Sequence, residues 1–271
     1  MASYNLTYIY HDCFMLETQE AVMIFDYWKD PFADATNKDY PPLLESIDVS
    51  KRVYVFVSHH HKDHFSRRIF LWEQRLPHIE YIISRDTFKA VSYMLKESKG
   101  QYQGFKPSPC KIHILNPGET YSDGVVEVKA FASTDIGNSY AVRIKDLKVF
   151  HAGDLNAWLW LDESSAEEVE EARKSYTEII DQIREDFPGF DLVMFPVDSR
   201  LGRDYWWGAK YFVDNILTKL FVPMHFELVL AEEDKVSRRV DAANFKLYAR
   251  SDYGAYLQLA STRSSYFCAA D

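Results

Sequence analysis

Cysteine is scarce in this sequence: the 271 residues include only Cys13, Cys110 and Cys268, which lie far apart along the chain. Three widely spaced cysteines exclude the dense disulfide framework that holds small secreted proteins together. We expect all three to be thiols in a reducing compartment. Stability must then come from a hydrophobic core, and a chain of 271 residues with 47% hydrophobic content can form a substantial one.

Positive charge is also in short supply. Lys and Arg number 31 against 41 Asp and Glu, which gives a formal net charge of −10 at pH 7. No cluster of Lys and Arg stands out, and an acidic surface repels the phosphate backbone of nucleic acids. We therefore expect no nucleic-acid partner, and a small molecule as the substrate.

Long apolar runs are missing as well. No uninterrupted apolar stretch approaches the roughly 20 residues that a membrane-spanning helix needs. The first 20 residues include His11, Asp12 and Glu17 and no basic segment, so no secretory signal is evident. We expect no membrane partner and a cytoplasmic location.

The order of the predicted elements favours an α/β fold built as a single domain over residues 1–271, since no linker, repeat or low-complexity segment is present. Apolar or alternating runs predict strands at residues 5–10, 13–17, 21–26, 52–57, 79–84, 111–115, 125–131, 138–144, 147–151, 191–196 and 220–224. Helical periodicity predicts helices at residues 65–75, 86–97, 165–187 and 205–219, with a short one at 42–47.

Histidine is concentrated directly after the apolar run 53–57, where residues 58–64 read Ser-His-His-His-Lys-Asp-His. Neutral imidazole and carboxylate are ligands for zinc-like metals. Side chains alternate faces along an extended segment, so His59 and His61 can bind one ion. Asp63 and His64 follow as the chain turns and can reach a second ion. The pattern predicts a metal site.

The spacing His59-x-His61-x-Asp63-His64 resembles the His-x-His-x-Asp-His signature of the metallo-β-lactamase-fold hydrolases. Further segments resemble that family in the same order along the chain. These segments are an opening hairpin at residues 8–26 that ends in Asp26, a strand at residues 148–154 that ends in Asp154, and a late strand that contains Pro223-Met224-His225.

This resemblance implies a four-layer αββα sandwich and a site with two metal ions. It assigns His59 and His61 to one ion, Asp63, His64 and His225 to the other, and Asp154 to a bridge between them. A metal-activated water would attack a carbonyl or a phosphorus atom. Asp63 would orient that water or accept its proton. Asp26 could hold a ligand histidine through its other ring nitrogen, with a plain turn aspartate as the alternative.

One ligand of the family is missing from this sequence. The family normally supplies a histidine between the first motif and the bridging aspartate, where this chain reads Ser133-Thr134-Asp135. Asp135 can replace the imidazole with a carboxylate, which favours Mn or Fe over Zn. Alternatively, the segment is a turn with bonds from side chains to the backbone, and His59 and His61 bind the ion with water or bind none. We expect one or two divalent ions, with Zn as the first expectation and Mn or Fe as the alternatives.

The function implied by the resemblance is hydrolysis of a lactone, an ester or a phosphodiester, and the chain looks most similar to the ascorbate-6-phosphate-lactonase-like branch. Two alternatives stay open, a di-iron redox protein and a degenerate, non-catalytic member that binds a metal or a ligand. Outside the motifs, Trp158 could form an apolar wall of the site, or could merely cover the long helix. Arg200 could lie near an anionic group of the substrate, although a surface Arg is the commoner case.

Overall fold

The computed structural model describes residues 4–29, 39–95 and 106–225. The described chain is mixed α/β with two six-stranded sheets, as the sequence predicts. It divides into two compact units, the first ending at Asn116 and the second beginning at Pro117, and each unit contains one sheet. The single-domain organisation stays a prediction.

The sheet of the first unit begins with two antiparallel hairpins and continues with parallel strands. Its strands are β1 (Tyr4–Tyr10), β2 (Cys13–Thr18), β3 (Ala21–Phe25), β4 (Arg52–Val57), β5 (Ile79–Ser84) and β6 (Ile112–Leu115), and they neighbour one another in that order. The pairs β1–β2 and β2–β3 are antiparallel, whereas β3–β4, β4–β5 and β5–β6 are parallel.

Strands β4 and β5 anchor this sheet because both faces of each are buried. All residues of β4 from Val53 to Val57 are buried, as expected for an uninterrupted apolar run in a parallel sheet. Trp72 is fully buried in the same hydrophobic core. The hydroxyl of Tyr81, on β5, donates to the carbonyl of Ile69 at 2.9 Å. The core therefore holds the ends of β3 and β4 in place.

The helices of the first unit are short. They are 3-10 helices at Pro42–Ser46, Arg67–Gln74, Ser92–Leu95 and Pro109–Lys111, and one α-helix, α1 (Arg85–Val91). The predicted helices at 65–75 and 86–97 are therefore present as a 3-10 helix and as an α-helix that continues into one. Residues 96–97 lie outside the described residues.

The sheet of the second unit also combines antiparallel and parallel pairs. Its strands are β7 (Thr120–Ser122), β8 (Glu127–Ala132), β9 (Asn138–Ile144), β10 (Leu147–His151), β11 (Gly189–Pro196) and β12 (Leu217–Met224), in spatial order from β12 back to β7. The pairs among β7, β8, β9 and β10 are antiparallel, and β10–β11 and β11–β12 are parallel. The short strand β7 was not predicted.

The long helix α2 (Ala166–Asp186) is the best-predicted element of the second unit. Ser165 caps it, with the hydroxyl accepting from the Glu168 amide while the Glu168 side chain accepts from the Ser165 amide. Its buried face packs Tyr176, whose hydroxyl donates to the Gly208 carbonyl at 2.6 Å. This contact ties α2 to the next helix.

Helix α3 (Trp207–Asn215) is shorter than the predicted span of 205–219, because burial from Ile216 to Lys219 alternates from residue to residue, as in a strand. Its Gly208 lies against the loop that follows β10. A Cβ atom there would be 2.0 Å from Asn156 Oδ1 and 3.0 Å from the Ala157 amide nitrogen. Only glycine fits at this approach.

The described cysteines agree with the expectation of thiols. Cys13 is buried and Cys110 is exposed, and neither is in a disulfide, whereas Cys268 lies outside the described residues. Among the described residues, no helix combines the length and the apolar character needed to cross a membrane.

Candidate metal centre

The first group of predicted ligands lies where β3 and β4 end. These strands are parallel neighbours, so the residues that follow them meet at one edge of the sheet. Asp26, which follows β3 with a left-handed φ of 44°, donates its amide to the Phe56 carbonyl at 3.0 Å. Its carboxylate accepts from the amide and the hydroxyl of Ser58, the residue after β4, at 2.7 and 2.6 Å. The strand ends are thereby joined by a buried carboxylate.

Asp26 and Ser58 together orient two imidazoles. The Ser58 hydroxyl has one proton and donates it to Asp26, so it accepts from His59 Nδ1, which is 2.9 Å away. His64 Nδ1 lies 3.0 Å from Asp26 Oδ2 and donates to it. This assigns the ring proton to Nδ1 in both histidines, so both would bind a metal through Nε2. The predicted role of Asp26 is consistent with this geometry.

A turn brings the histidines of the motif together. The amides of His64 and Phe65 both donate to the His61 carbonyl, at 3.1 and 3.0 Å. The ring centroid of His59 is then 4.6 Å from that of His61 and 4.1 Å from that of His64. Burial, helped by these neighbouring imidazoles, lowers the pKa of His59 to about 2. His59 is therefore neutral at physiological pH, as a metal ligand must be.

Two further residues of the motif, His60 and Asp63, point away from the ligand group or lie at its edge. His60 points away from the ligand group, with Nδ1 at 2.9 Å and its amide at 3.0 Å from Asp86 Oδ2. Asp63 has a half-exposed side chain whose Oδ2 is 3.7 Å from His11 Nε2. His60 was not predicted to be a ligand, and Asp63 remains a predicted one.

The second group of predicted ligands lies at the ends of three parallel neighbours, β10, β11 and β12. Asp154 is buried in the loop after β10, and His225 directly follows β12 with a left-handed φ of 60°. Asp198 is buried after β11, the strand between the other two. The parallel arrangement again collects polar side chains at one edge.

His225 and Asp154 are placed as two ligands of one ion would be. His225 Nδ1 donates to Asp198 Oδ2 at 3.1 Å, so Nε2 presents its lone pair toward Asp154 Oδ1 at 3.3 Å. With metal–ligand distances of about 2.0–2.2 Å, two ligands of a tetrahedral zinc ion are about 3.4 Å apart. The Trp158 indole contacts the His225 ring and donates Nε1–H to the Asp154 carbonyl at 2.8 Å. Trp158 therefore borders this pair.

Asp198 is a site residue that the sequence did not predict. Arg200 donates from Nε to both Asp198 oxygens, at 2.9 and 3.0 Å, and from Nη2 to Oδ2 at 2.6 Å. Burial works to raise the pKa of Asp198, but the hydrogen bonds from His225 and Arg200 outweigh it and hold that pKa well below its usual range. Arg200 thus contacts Asp198, and a role near an anionic group of the substrate stays a hypothesis. An Asp two residues after a buried strand was the available signal.

The segment that lacks the expected histidine combines both alternatives. The Ser133 hydroxyl accepts from the Asp135 amide at 3.3 Å, which is the kind of local bond from side chain to backbone expected of a turn. The Thr134 hydroxyl donates to the Asn156 carbonyl at 2.5 Å and accepts from the Asn156 amide at 3.1 Å, so Thr134 joins this segment to the loop after β10. Asp135 is exposed, and its ligand atom lies within 4.8 Å of that of Asp154. Asp135 is therefore the residue of this segment that can replace the missing imidazole.

A model of the beta-lactamase superfamily domain matches residues 5–170, which is more than half of the chain. The chain belongs to this superfamily. The matched segment includes the predicted ligands from His59 to Asp154, whereas Asp198 and His225 follow it. The α/β fold with two six-stranded sheets is that of the superfamily, so the predicted fold class is confirmed.

Solved structures agree on the fold. Igni18, a metallo hydrolase of Ignicoccus hospitalis, is 16% identical with a TM-score of 0.56, over 95% of this chain and 92% of that one. YhfI of Bacillus subtilis, a metallo-beta-lactamase fold protein, is 10% identical with a TM-score of 0.56, over 97% and 92%. CmlA of Streptomyces venezuelae, a diiron beta-hydroxylase, is 13% identical with a TM-score of 0.53, over 83% of this chain and 45% of that one. No curated protein matches the sequence.

The donor atoms of this superfamily member suit divalent metal ions. The imidazoles that bond through Nδ1 offer Nε2, and carboxylates stand beside them in both units. Nitrogen and oxygen donors of this kind serve zinc, manganese and iron alike.

Proposed function

We propose that this chain is a metal-dependent hydrolase that uses a metal-activated water. The observation that carries the proposal is the trio His59, His61 and His64, gathered at the ends of two parallel strands. Buried carboxylate and hydroxyl partners orient two of these rings, and one ring is kept neutral by burial. A packing role would not require such an arrangement.

The proposed ligands follow the pattern of the superfamily. One ion is assigned to His59, His61 and Asp135, and the other to Asp63, His64 and His225, with Asp154 serving both. Zinc is the first expectation, and Asp135 in place of an imidazole makes manganese or iron the alternatives.

Bound metal would supply a nucleophilic water near neutral pH and a polarised substrate oxygen. The residues of the chain supply orientation and proton handling. Asp26 keeps His64 in one ring orientation, and Asp198 does the same for His225. The half-exposed carboxylate of Asp63 is placed to orient water or to accept its proton.

The proposed substrate is a small lactone, ester or phosphodiester, in line with the resemblance to the ascorbate-6-phosphate-lactonase-like branch. Trp158 beside His225 favours a substrate with an apolar part. The net charge of −10 disfavours nucleic acid, and a cytoplasmic location belongs to the same proposal.

A di-iron redox protein is the second candidate, and Asp135 beside Asp154 is the observation that favours it, because a carboxylate-rich ligand set suits iron. CmlA, which shares the fold, is a diiron beta-hydroxylase. A non-catalytic metal-binding or ligand-binding protein is the third candidate.

Two measurements separate these candidates. The first is elemental analysis of protein purified without added metal, and the second is a turnover assay with a panel of lactone, phosphodiester and thioester substrates. We expect one or two zinc or manganese ions per chain and turnover of at least one class of substrate. Two irons without hydrolysis would indicate redox chemistry, and metal without turnover would indicate a binding protein.

The variant His61→Ala should lose metal and turnover together, because it removes a proposed ligand. His113→Ala is the matched control: His113 lies on β6, and its Nε2 is 2.8 Å from Glu80 Oε2. If His61→Ala kept both its metal and its activity, the hydrolase proposal would be wrong.

A further inference from the structure

The tip of the first hairpin contains a histidine in a conformation that histidine rarely adopts. Tyr10 pairs with Cys13 across β1 and β2, so His11 and Asp12 form a turn of two residues. His11 has a φ of 57°, in the left-handed region that costs most residues about 1–2 kcal/mol and that Gly, Asn or Asp usually occupy. Backbone strain of this kind collects at functional sites.

The His11 ring faces the metal motif of its own unit. Its Nε2 lies 3.7 Å from Asp63 Oδ2, and its ring meets that of His64 edge-on at 5.5 Å between centroids. A separation of 3.7 Å is too long for a hydrogen bond. It is close to the spacing of about 3.4 Å between two ligands of one tetrahedral ion.

Asp12 adds negative charge to the same place. It is fully buried, and its Oδ2 is 3.6 Å from His64 Nδ1, the nitrogen that also meets Asp26. A buried carboxylate is costly, and hydrogen bonds or nearby positive charge offset that cost. Two carboxylates beside Nδ1 of one imidazole favour a cation at its Nε2. The ligand atoms of His11, Asp12 and His64 all lie within 4.8 Å of one another.

We propose that His11 is an additional ligand of the ion assigned to Asp63 and His64, with Asp12 as a buried charge that stabilises the occupied site. This inference rests on the proposed metal-dependent function. It gives this ion an imidazole from outside the His59-x-His61-x-Asp63-His64 signature, and it explains why a strained turn position is a histidine rather than glycine.

Replacement of His11 by glycine separates a ligand from a structural residue. Glycine relaxes the left-handed backbone, so the metal-free His11→Gly protein should unfold at the same temperature as wild type or higher. Metal binding should weaken, by about 100-fold or more for one ion, because even the loss of a partner behind a ligand weakens binding 10–100-fold. Titration with Co²⁺ followed by visible absorption and by calorimetry measures both affinity and stoichiometry.

His11→Asp tests for rescue, because aspartate tolerates the left-handed turn and offers a carboxylate. It should recover part of the affinity, whereas His11→Asn should tolerate the turn and bind as weakly as His11→Gly. His113→Gln is the control, because it changes a histidine outside the proposed site. This variant should bind Co²⁺ as wild type does.

Wild-type affinity in both His11→Gly and His11→Asn would overturn the proposal, as would a metal-free His11→Gly protein that is less stable but binds normally. If His11→Gly failed to fold, the titration of His11→Asn would decide. Failure of the hydrolase proposal looks different, because wild-type protein itself would then bind no ion or turn over no substrate.

Discussion

Each unit holds one predicted ligand histidine against a buried aspartate, but the two aspartates are supported differently. Asp26, beside His64, accepts from the amide and the hydroxyl of Ser58. Asp198, beside His225, accepts from the guanidinium of Arg200. The first carboxylate is surrounded by the ends of two packed strands, whereas the second is covered by a residue whose own side chain is 56% exposed.

This difference indicates which positive charge stabilises each carboxylate. Arg200 is permanently charged, so Asp198 remains ionised whether or not a metal is present. The donors to Asp26 include the amide and the hydroxyl of Ser58 and the ring of His64, none of which is permanently charged. A cation bound to His64 would therefore help to stabilise the negative charge of Asp26. We therefore expect the group in the first unit to be the more sensitive one to mutation, acid and metal loss.

The largest effect should come from Asp26→Ala. It removes the acceptor for the Ser58 amide, the Ser58 hydroxyl and the His64 ring in a buried place, and unsatisfied buried groups cost about 1–3 kcal/mol each. We expect the metal-free protein to lose about 3 kcal/mol of unfolding free energy in urea titrations. The control, Asp181→Ala, removes an exposed partner of Arg184 and should cost under about 0.5 kcal/mol. A loss under about 1 kcal/mol for Asp26→Ala would contradict the expected difference between the two aspartates.

As the pH is lowered, the ligand group of the first unit, which contains His59, should lose stability at a higher pH than the group of the second unit, which contains Asp198. In the unfolded chain His59 binds a proton near its ordinary pKa of about 6.5, whereas in the folded chain its pKa is about 2. The unfolded state therefore binds more protons as pH falls below about 6.5, and stability falls by up to about 1.4 kcal/mol per pH unit. The lowered pKa of Asp198 acts in the same direction, but only below its ordinary value of about 3.9.

Urea unfolding of metal-free protein between pH 7 and pH 3 measures these windows. His59→Gln should flatten the slope between about pH 6.5 and pH 4, whereas Asp198→Asn should change only the more acidic part. A slope in the upper window that persists in His59→Gln would assign it to another group.

A smaller effect is expected from Asp198→Ala. Arg200 can return to water, so the lost contacts should cost only about 1–2 kcal/mol of unfolding free energy. Its effect on metal should be larger, about 10–100-fold in affinity, because His225 loses the partner that sets its ring orientation. Calorimetric metal titration checks this, and a normal affinity would show that Asp198 has no positioning role.

The smallest effect should come from Arg200→Lys. Lysine keeps the charge near Asp198 but cannot form the forked contact, so we expect less than about 1 kcal/mol in stability and less than about tenfold in metal affinity. The same measurements apply. A loss of metal affinity as large as that of Asp198→Ala would mean that the forked contact of Arg200, rather than the Asp198 carboxylate alone, determines the orientation of His225.

The sequence was most informative where one short segment contains the whole signal. The apolar run of β4 predicted a buried strand, which the structure contains, because strand burial leaves a clear residue pattern. The histidines after it predicted metal ligands, and the structure brings three of them together, although their binding of metal stays a prediction. Helix α2 was predicted by its capping box for the same reason.

The residues that were missed depend on contacts between distant segments. Asp198 supports His225 only because β11 and β12 pair in parallel and end together, which no local pattern shows. Arg200 was interpreted by its charge alone, whereas the structure places it on a carboxylate two residues away. The bond of Thr134 to the loop after β10 is a tertiary contact, and the early end of α3 follows from the alternating burial of the strand after it.

The close contact of Gly208 with Asn156 has a consequence for how natural variants of this protein should be judged. A change of Gly208 to alanine belongs to no motif and would pass as harmless in any comparison of residue types. Its methyl group would nevertheless press on the loop between Asp154 and Trp158 and displace it. We expect such a chain to remain folded and yet to bind metal more weakly through Asp154, although the changed residue lies more than 50 positions from Asp154.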